Sequence, residues 1–167
     1  MLKKNIIIES VVIFTLSFIT HNIYDWFPNF LTSIFFPVNE SIWEHLKMIF
    51  STILMWNIIK FVFTNKKNFL FSNVLFSSLS TIIIFLIIYL PVDNLLKEHN
   101  LLVTLIIYYI SLVFGYYIKT IILKNITNEK QINLLSIIIL FIIIIIFGYL
   151  TYNPIDNYLF IDPTKKT

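Results

Sequence analysis

The chain has 167 residues, of which 58% are hydrophobic and only 13% carry a charge. Soluble domains use about 45–50% apolar residues, so this composition indicates a protein whose surface faces lipid. The formal net charge of +3 is small and dispersed, which argues against nucleic acid as a partner. Because there is no cysteine, disulfides and cysteine nucleophiles are excluded, and any metal must bind to His, Asp or Glu.

Five apolar segments are long enough to cross a bilayer core of ~30 Å as helices. In chain order they are predicted at residues 5–23, 42–63, 69–92, 101–123 and 132–152, followed by a polar tail over residues 153–167. Proline, asparagine and lysine interrupt the sequence between them. The sequence therefore predicts a single all-α transmembrane domain over residues 1–167, a polytopic bundle of about five membrane-spanning helices.

The distribution of lysine predicts the orientation of the bundle, because Lys and Arg are enriched in cytoplasmic loops. The first connection has no lysine, and the third has only Lys97. We therefore predict that the N-terminus is cytoplasmic and the C-terminus is outside, although Lys165 and Lys166 are exceptions. The abundance of Ile, Asn and Lys favours a bacterial plasma membrane. The lysines that carry the prediction are Lys3, Lys4, Lys60, Lys66, Lys67, Lys119, Lys124 and Lys130.

The first segment has a polar stripe. On a helix, Glu9 projects to the same broad side as Ser17 and His21, so this side is predicted to face the bundle. An ionisable residue within a membrane span is by default a candidate for function, and Glu9 could belong to a proton relay or ion pathway. Glu9 also lies near enough to the cytoplasmic surface of the membrane for its carboxylate to extend into water.

The end of the first segment reads His21-Asn22-Ile23-Tyr24-Asp25-Trp26. If the helix continues, His21 and Asp25 share a face, where a carboxylate fixes the tautomer of an imidazole and raises its basicity. In the alternative interpretation, Tyr24 and Trp26 belong to an interfacial aromatic belt and Asp25 only hydrates the turn.

The densest polar run, residues 37–47, reads Pro-Val-Asn-Glu-Ser-Ile-Trp-Glu-His-Leu-Lys and leads into the second segment. Ser41 and Glu44 have the spacing of a capping box, in which each side chain bonds a backbone amide at the start of a helix. Capping leaves Glu40, His45 and Lys47 unexplained. On the helix, Glu44, Lys47 and Ser51 share one face, and His45 lies about 90° around from it. This polar wedge at the entrance of an apolar helix is a candidate for function.

These residues predict one polar site at the extracytoplasmic end of the first two segments. A divalent metal is the candidate cofactor, with His21, His45 and Glu44 as its ligands, because imidazole and carboxylate are common ligands of zinc. The candidate catalytic residues are His21, Asp25, Glu40, Glu44 and His45.

Small and hydroxylated residues mark the later segments. The serines of the third segment, together with Gly115 and Gly148, are predicted to serve helix packing, because small side chains allow close approach and interhelical hydrogen bonds.

The run from Pro37 to Lys47, preceded by His21-x-x-Tyr24-Asp25-Trp26, resembles the signature of a bacterial membrane family catalogued as domain of unknown function 6512. The C-terminal Leu159-Phe160-Ile161-Asp162-Pro163 is similar to the ending of that family. The resemblance covers essentially the whole chain. It implies a small multi-helix membrane bundle and supplies no activity.

Three functions stay open. The first is an outward-facing hydrolase or transferase that acts on a lipid or small amphiphile through metal or acid/base chemistry, although the sequence has no HExxH or GxSxG motif. The second is a non-enzymatic protein that binds or transports an ion or small ligand, in which a homodimer could supply a missing half. The third is an accessory subunit of a membrane complex. The lipid bilayer is the predicted surrounding in each.

Overall fold

A computed structural model describes residues 2–63, 70–96 and 100–165 of the chain. All regular structure within these ranges is helical, and five of the helices are long and apolar enough to cross a membrane by length and composition. The prediction of an all-α chain with about five spanning helices is therefore confirmed. The elements are α1 (Leu2–Trp26), α2 (Phe30–Phe35), α3 (Ile42–Phe63), α4 (Leu70–Leu96), α5 (Leu101–Lys124), α6 (Glu129–Tyr152) and a 3-10 turn, Tyr158–Phe160.

Two helices extend beyond the predicted ends. α1 continues to Trp26, so His21 and Asp25 lie on one uninterrupted helix. α4 passes through Pro91 and ends at Leu96, four residues beyond the predicted end at residue 92. A proline removes one backbone hydrogen bond, which the last turns of a long apolar helix tolerate. The start of the third predicted segment and the side chains of Lys3, Lys66, Lys67, Lys97 and Lys166 lie outside the described residues.

The short helix α2 lies in the first connection, where no helix was predicted. Asn29 caps it, because its Oδ1 accepts hydrogen bonds from the amides of Leu31 at 2.9 Å and Thr32 at 3.1 Å. Thr32 Oγ1 in turn accepts from the amide of Asn29 at 3.1 Å. This is a capping box made from Asn and Thr, whereas the common form uses Ser or Thr with Glu or Gln.

Two glycines allow close helix packing, which confirms their predicted role. A Cβ atom on Gly115 of α5 would lie 2.2 Å from Thr81 Oγ1 and 2.8 Å from the Thr81 backbone in α4. On Gly148 of α6, a Cβ atom would lie 3.3 Å from the side chain of Ile34 in α2. The core between the spans is apolar, and Ile13, Ile49, Ile53 and Leu112 are among its fully buried residues.

Successive spanning helices run in opposite directions, and the residues at the two ends of the bundle differ in chemistry. At one end, α1, α4 and α6 finish, α3 and α5 begin, and α2 and the C-terminal tail pack across them. We call this the His/Glu end, after His21, Glu40 and His45. The opposite end, which we call the lysine end, carries Lys60 and Lys119.

Candidate metal centre and its two cavities

Three side chains from separate parts of the His/Glu end meet at one point. His21 comes from the last turns of α1, Glu40 from the connection before α3, and His45 from the first turn of α3. The Oε2 atom of Glu40 lies 3.5 Å from Nε2 of His21 and 3.6 Å from Nε2 of His45. One ligand atom from each residue lies within 4.8 Å of the others. The three residues therefore form a group that could hold a metal ion.

A backbone carbonyl sets the orientation of the His45 ring. Nδ1 of His45 lies 2.9 Å from the carbonyl oxygen of Ser41, one helical turn earlier. Because a carbonyl only accepts hydrogen bonds, Nδ1 carries the proton and donates it. This leaves Nε2 to face Glu40, as expected for a metal-ligating histidine whose other ring nitrogen is held by a carbonyl.

Glu40 is the charged partner of the two imidazoles. A hydrogen bond from His21 holds the pKa of Glu40 below its usual value of 4.5, although partial burial opposes this shift. The carboxylate is therefore ionised at neutral pH. Its side chain is 40% exposed, so an ion or ligand could reach it.

The C-terminal tail is attached to the same loop. Burial raises the pKa of Asp162, but hydrogen bonds from Thr164 and from the backbone N–H of Glu40 more than offset it and hold this pKa below its usual value. Trp43 of α3 stacks on Phe160, with ring centroids 5.0 Å apart, and Tyr158 bonds to the carboxylate of Asp93 in α4. The tail thus covers the candidate site. The predicted orientation had placed this tail at the same end of the bundle as the site, and the resemblance of its ending to a family also pointed to it.

Glu44 lies apart from this group. Its carboxylate pairs with Lys47 at 2.5 Å, and both side chains are almost completely buried. The carboxylate beside the two histidines is therefore that of Glu40, and the predicted ligand Glu44 is engaged elsewhere. The reason is local, because Glu44 lies in the first turn of α3 on the side that faces α2 and α6.

The bonds of this buried pair are fully used. Besides Glu44, Lys47 Nζ donates to the carbonyl of Ser33 in α2 and to Thr151 Oγ1 in α6, both at 2.8 Å. The Glu44 carboxylate also accepts from the amide of Val38 at 3.0 Å. We call Glu44, Lys47 and their partners the ion-pair clamp, since they join α2, α3 and α6.

The predicted capping box at the start of α3 forms only in part. Ser41 Oγ accepts from the amide of Glu44 at 3.4 Å, as expected. The reciprocal bond is replaced, because the amide of Ser41 donates to Asn39 Oδ1 at 2.9 Å. This frees the Glu44 carboxylate for the ion-pair clamp.

The remaining candidates of α1 lie at different depths. Asp25 is exposed and close enough to His21 to act on it electrostatically. Glu9 lies at the lysine end and pairs with Lys60 at 2.8 Å. Between them, Ser17 and Thr20 are buried, and Thr20 bonds to Thr52 of α3 at 2.6 Å, so the polar side of α1 faces the bundle as predicted.

Two cavities meet at the candidate metal centre. The lateral cavity, of about 250 Å³, lies between α1, α3, α4 and α5 and reaches past His21. The end cavity, of about 340 Å³, lies beneath the C-terminal tail. Glu40 and His45 line both cavities, as do Phe85 and Thr104. The positions of the two cavities could not be predicted from the sequence, because they depend on how the helices pack.

Comparison with known proteins identifies a family. A model of a family of unknown function, DUF6512, matches residues 1–166, and the chain therefore belongs to this family. No curated protein and no solved structure matches the chain. The chemistry of the protein is therefore inferred from the geometry of the site.

Proposed function

We propose that this member of the DUF6512 family is a membrane-embedded enzyme that holds one divalent metal ion between His21, Glu40 and His45 and acts on a lipid or small amphiphile. The observation that carries the proposal is the convergence of two imidazoles and one carboxylate at the junction of two cavities. An ionisable cluster at the edge of membrane-spanning helices is costly to build, which favours a functional role.

The distances suit zinc coordination. In a tetrahedral site with bonds of about 2.0–2.1 Å, two ligand atoms lie about 3.3–3.4 Å apart. The separations of Glu40 Oε2 from the two Nε2 atoms, 3.5 and 3.6 Å, are close to this value. All three ligand atoms lie within 4.8 Å of one another, so the side chains would move closer together around an ion.

Two histidines and one carboxylate leave a fourth coordination position open. Held by His21, Glu40 and His45, a zinc ion would bind water and lower its pKa to about 7, which would supply hydroxide at neutral pH. In a hydrolysis, the water oxygen bonds to the acyl carbon, the bond to the leaving oxygen breaks, and the leaving oxygen takes up the proton from the water. Asp25 would act on His21 through its charge, as a positioning residue.

We also propose that the His/Glu end faces outward across a bacterial plasma membrane. The support is the charge difference between the ends, because lysines concentrate near the cytoplasm. Lys60, Lys119 and Lys124 lie at the lysine end. At the His/Glu end, Lys47 is neutralised by Glu44.

The test of the metal site is elemental analysis of the detergent-purified protein. We expect one zinc or similar transition-metal ion per chain in the wild type and none in the His21→Ala/His45→Ala variant. Glu129→Gln, at the exposed start of α6, is the matched control and should keep the metal. Metal that is retained in the double variant, or absent from a wild type purified in metal-replete medium, would overturn the proposal.

A non-enzymatic ligand-binding or transport protein is the second candidate, because the same two cavities would serve it. The two candidates differ in the fate of the ligand. Incubation with monododecanoylglycerol, followed by mass spectrometry of the recovered lipid, should show cleaved ester if the site is an enzyme and only intact ester if it is a binder. If the chain is instead an accessory subunit of a membrane complex, the His21→Ala/His45→Ala variant should differ from the wild type only in stability.

A further inference from the structure

We infer that the lysine end holds a binding site for the phosphate group of an anionic phospholipid, in a cavity between α4 and α5 that Lys119 and Lys124 line. The site is separate from the candidate metal centre, which lies at the opposite end of the bundle. The inference therefore does not depend on the proposed enzymatic function. It follows from the burial of Lys119, from the partners of its ammonium group and from the lining of the cavity.

Lys119 is a buried lysine within a candidate membrane span. It lies five residues before the end of α5 (Leu101–Lys124) and is 8% exposed. Five residues of an α-helix extend over about 7.5 Å, so the residue lies more than one turn inside the helix. A charged residue in a membrane span is costly to bury, and this cost makes Lys119 a candidate for function.

The direct partners of the Lys119 ammonium are uncharged. Nζ donates to Oδ1 of Asn73 in α4 at 3.4 Å and lies 4.4 Å from the centre of the Tyr116 ring. Among the described residues, no carboxylate forms an ion pair with it. Glu9 attracts it from a greater distance, but Glu9 is paired with Lys60 at 2.8 Å, and Lys60 opposes this attraction. An ammonium has three N–H donors, so Lys119 can still bind an anion.

The cavity beside Lys119 has the groups that a phosphate requires. Its volume is about 540 Å³, and its lining residues are Asn73 of α4 and Lys119, Thr120, Leu123 and Lys124 of α5. The two ammonium groups can donate to phosphate oxygens, whereas the Thr120 hydroxyl already donates to the carbonyl of Tyr116 at 2.8 Å. The lining that the structure describes contains no carboxylate. The positive group of a zwitterionic lipid would therefore have no charged partner there.

The surface around the cavity favours a lipid as the source of the phosphate. Ile121, one turn before Lys124, is 45% exposed, and Ile118 is 38% exposed. Both belong to a candidate membrane span, so acyl chains would pack against them while the head group reaches the cavity. Basic pockets between membrane-spanning helices are a recurrent kind of site for anionic head groups. A free phosphate ion has no chains to bind to this apolar surface.

The charge of the whole lysine end supports the same ligand. Its described residues carry a net charge of +3 after every ion pair is counted, because five are lysines and two are glutamates. Residues 64–69, which the structure does not describe, include no acidic residue in the sequence and cannot lower this charge. The end should therefore attract anionic lipid. The residues counted are Lys4, Glu9, Lys60, Lys119, Lys124, Glu129 and Lys130.

The test is a titration of the delipidated protein with dioleoylphosphatidylglycerol in detergent, with bound lipid counted by native mass spectrometry. We expect one lipid per chain to bind first. Lys119→Met and Lys124→Gln should each raise its Kd about fivefold, since a lysine near an anionic lipid contributes ~1 kcal/mol. Lys130→Gln, at the exposed start of α6, makes the same change of charge and is the matched control, which should leave the Kd unchanged.

The exposed position of Lys124 keeps the test decisive if Lys119→Met does not fold. An unchanged Kd in Lys124→Gln would overturn the inference. So would an equal rise in Lys130→Gln, because it would show that binding follows the total charge of this end rather than the cavity.

Two further probes identify the source of the phosphate. Dioleoylphosphatidylcholine has the same chains and should bind more weakly, with a Kd that Lys119→Met and Lys124→Gln leave unchanged. Inorganic phosphate should not displace dioleoylphosphatidylglycerol, because it lacks the chains. Equal affinity for the two lipids, or displacement by inorganic phosphate, would overturn the assignment of an anionic phospholipid.

Metal analysis of the same samples keeps this inference apart from the proposed function. Lys119→Met and Lys124→Gln should keep the metal content of the wild type, since their cavity lies at the opposite end. Loss of lipid and metal together would show a general disturbance of the fold and would overturn the assignment of a local site. A metal-free wild type with the expected lipid binding would support the lipid site and overturn only the metal-dependent function.

Discussion

Two carboxylates four positions apart in the sequence, those of Glu40 and Glu44, occupy opposite kinds of environment. Glu44 is 2% exposed, and its carboxylate bonds to Lys47, the amide of Val38 and Thr151 Oγ1 in the ion-pair clamp. Glu40 is 40% exposed and faces two imidazoles and two cavities. The difference shows that a polar residue in an apolar helix is not by itself a site. What distinguishes the candidate metal centre is a carboxylate that stays exposed to two cavities.

The largest expected effect comes from breaking the ion-pair clamp. Lys47→Met should destabilise the fold by about 3–5 kcal/mol, because it leaves the Glu44 charge buried and unpaired. The measurement is thermal unfolding in detergent, followed by circular dichroism. Glu44→Leu/Lys47→Met is the control and should recover most of the stability, since it removes both charges together. A single variant as stable as the wild type would show that the clamp is not structural.

Removing a ligand should weaken metal binding without comparable unfolding. Loss of a residue that only hydrogen-bonds to a metal ligand lowers metal affinity about 10–100-fold. Loss of a ligand itself, in His45→Ala, should therefore lower metal affinity by more than about 100-fold. Competition with a chromogenic chelator measures the affinity. The folded Glu44→Leu/Lys47→Met variant should bind as the wild type does, and a similar loss of affinity there would erase the contrast between the two carboxylates.

The pH dependence of stability should show whether the Glu40 carboxylate pairs with the two histidines. Since its pKa is lowered on folding, its contribution is present above its usual pKa of 4.5 and is lost as pH falls through the folded value. Its pairing with protonated histidine is complete below the ordinary histidine pKa of about 6.5 and weakens as pH rises above that value. The difference in Tm between metal-free wild type and Glu40→Gln should therefore be greatest between these two values, and a difference that grows above pH 7 would contradict this assignment.

The smallest effect is expected at the tail. Asp162→Asn weakens the bonds to Thr164 and to the amide of Glu40, which should cost about 0.5–1.5 kcal/mol of stability at most. Hydrogen exchange at the amide of Glu40 should become faster while metal stoichiometry stays unchanged. Ser136→Ala, on α6 away from the tail, is the control; slower exchange at Glu40 in Asp162→Asn would count against the proposed attachment of the tail.

The sequence predicts the helices well and the site in part. Apolar length alone locates five spans, because the bilayer requires about 20 apolar residues per helix. The spacing of His21 and His45 from their helix ends places both at one end of the bundle. It does not show whether the carboxylate of Glu40 or that of Glu44 lies beside them. That choice depends on Lys47, whose partners Ser33 and Thr151 come from α2 and α6 and are distant in sequence.

The packing of the tail on Trp43 gives the molecule a built-in optical reporter. The indole lies between Phe147 and Phe160, with ring centroids 5.1 and 5.0 Å away, and its Nε1 is buried without a hydrogen-bond partner among the described residues. If the tail lifts from the end cavity, water reaches this ring and its fluorescence emission shifts to longer wavelength. A chain with Trp26 and Trp56 replaced by phenylalanine would therefore report when the end cavity is covered and when it is open.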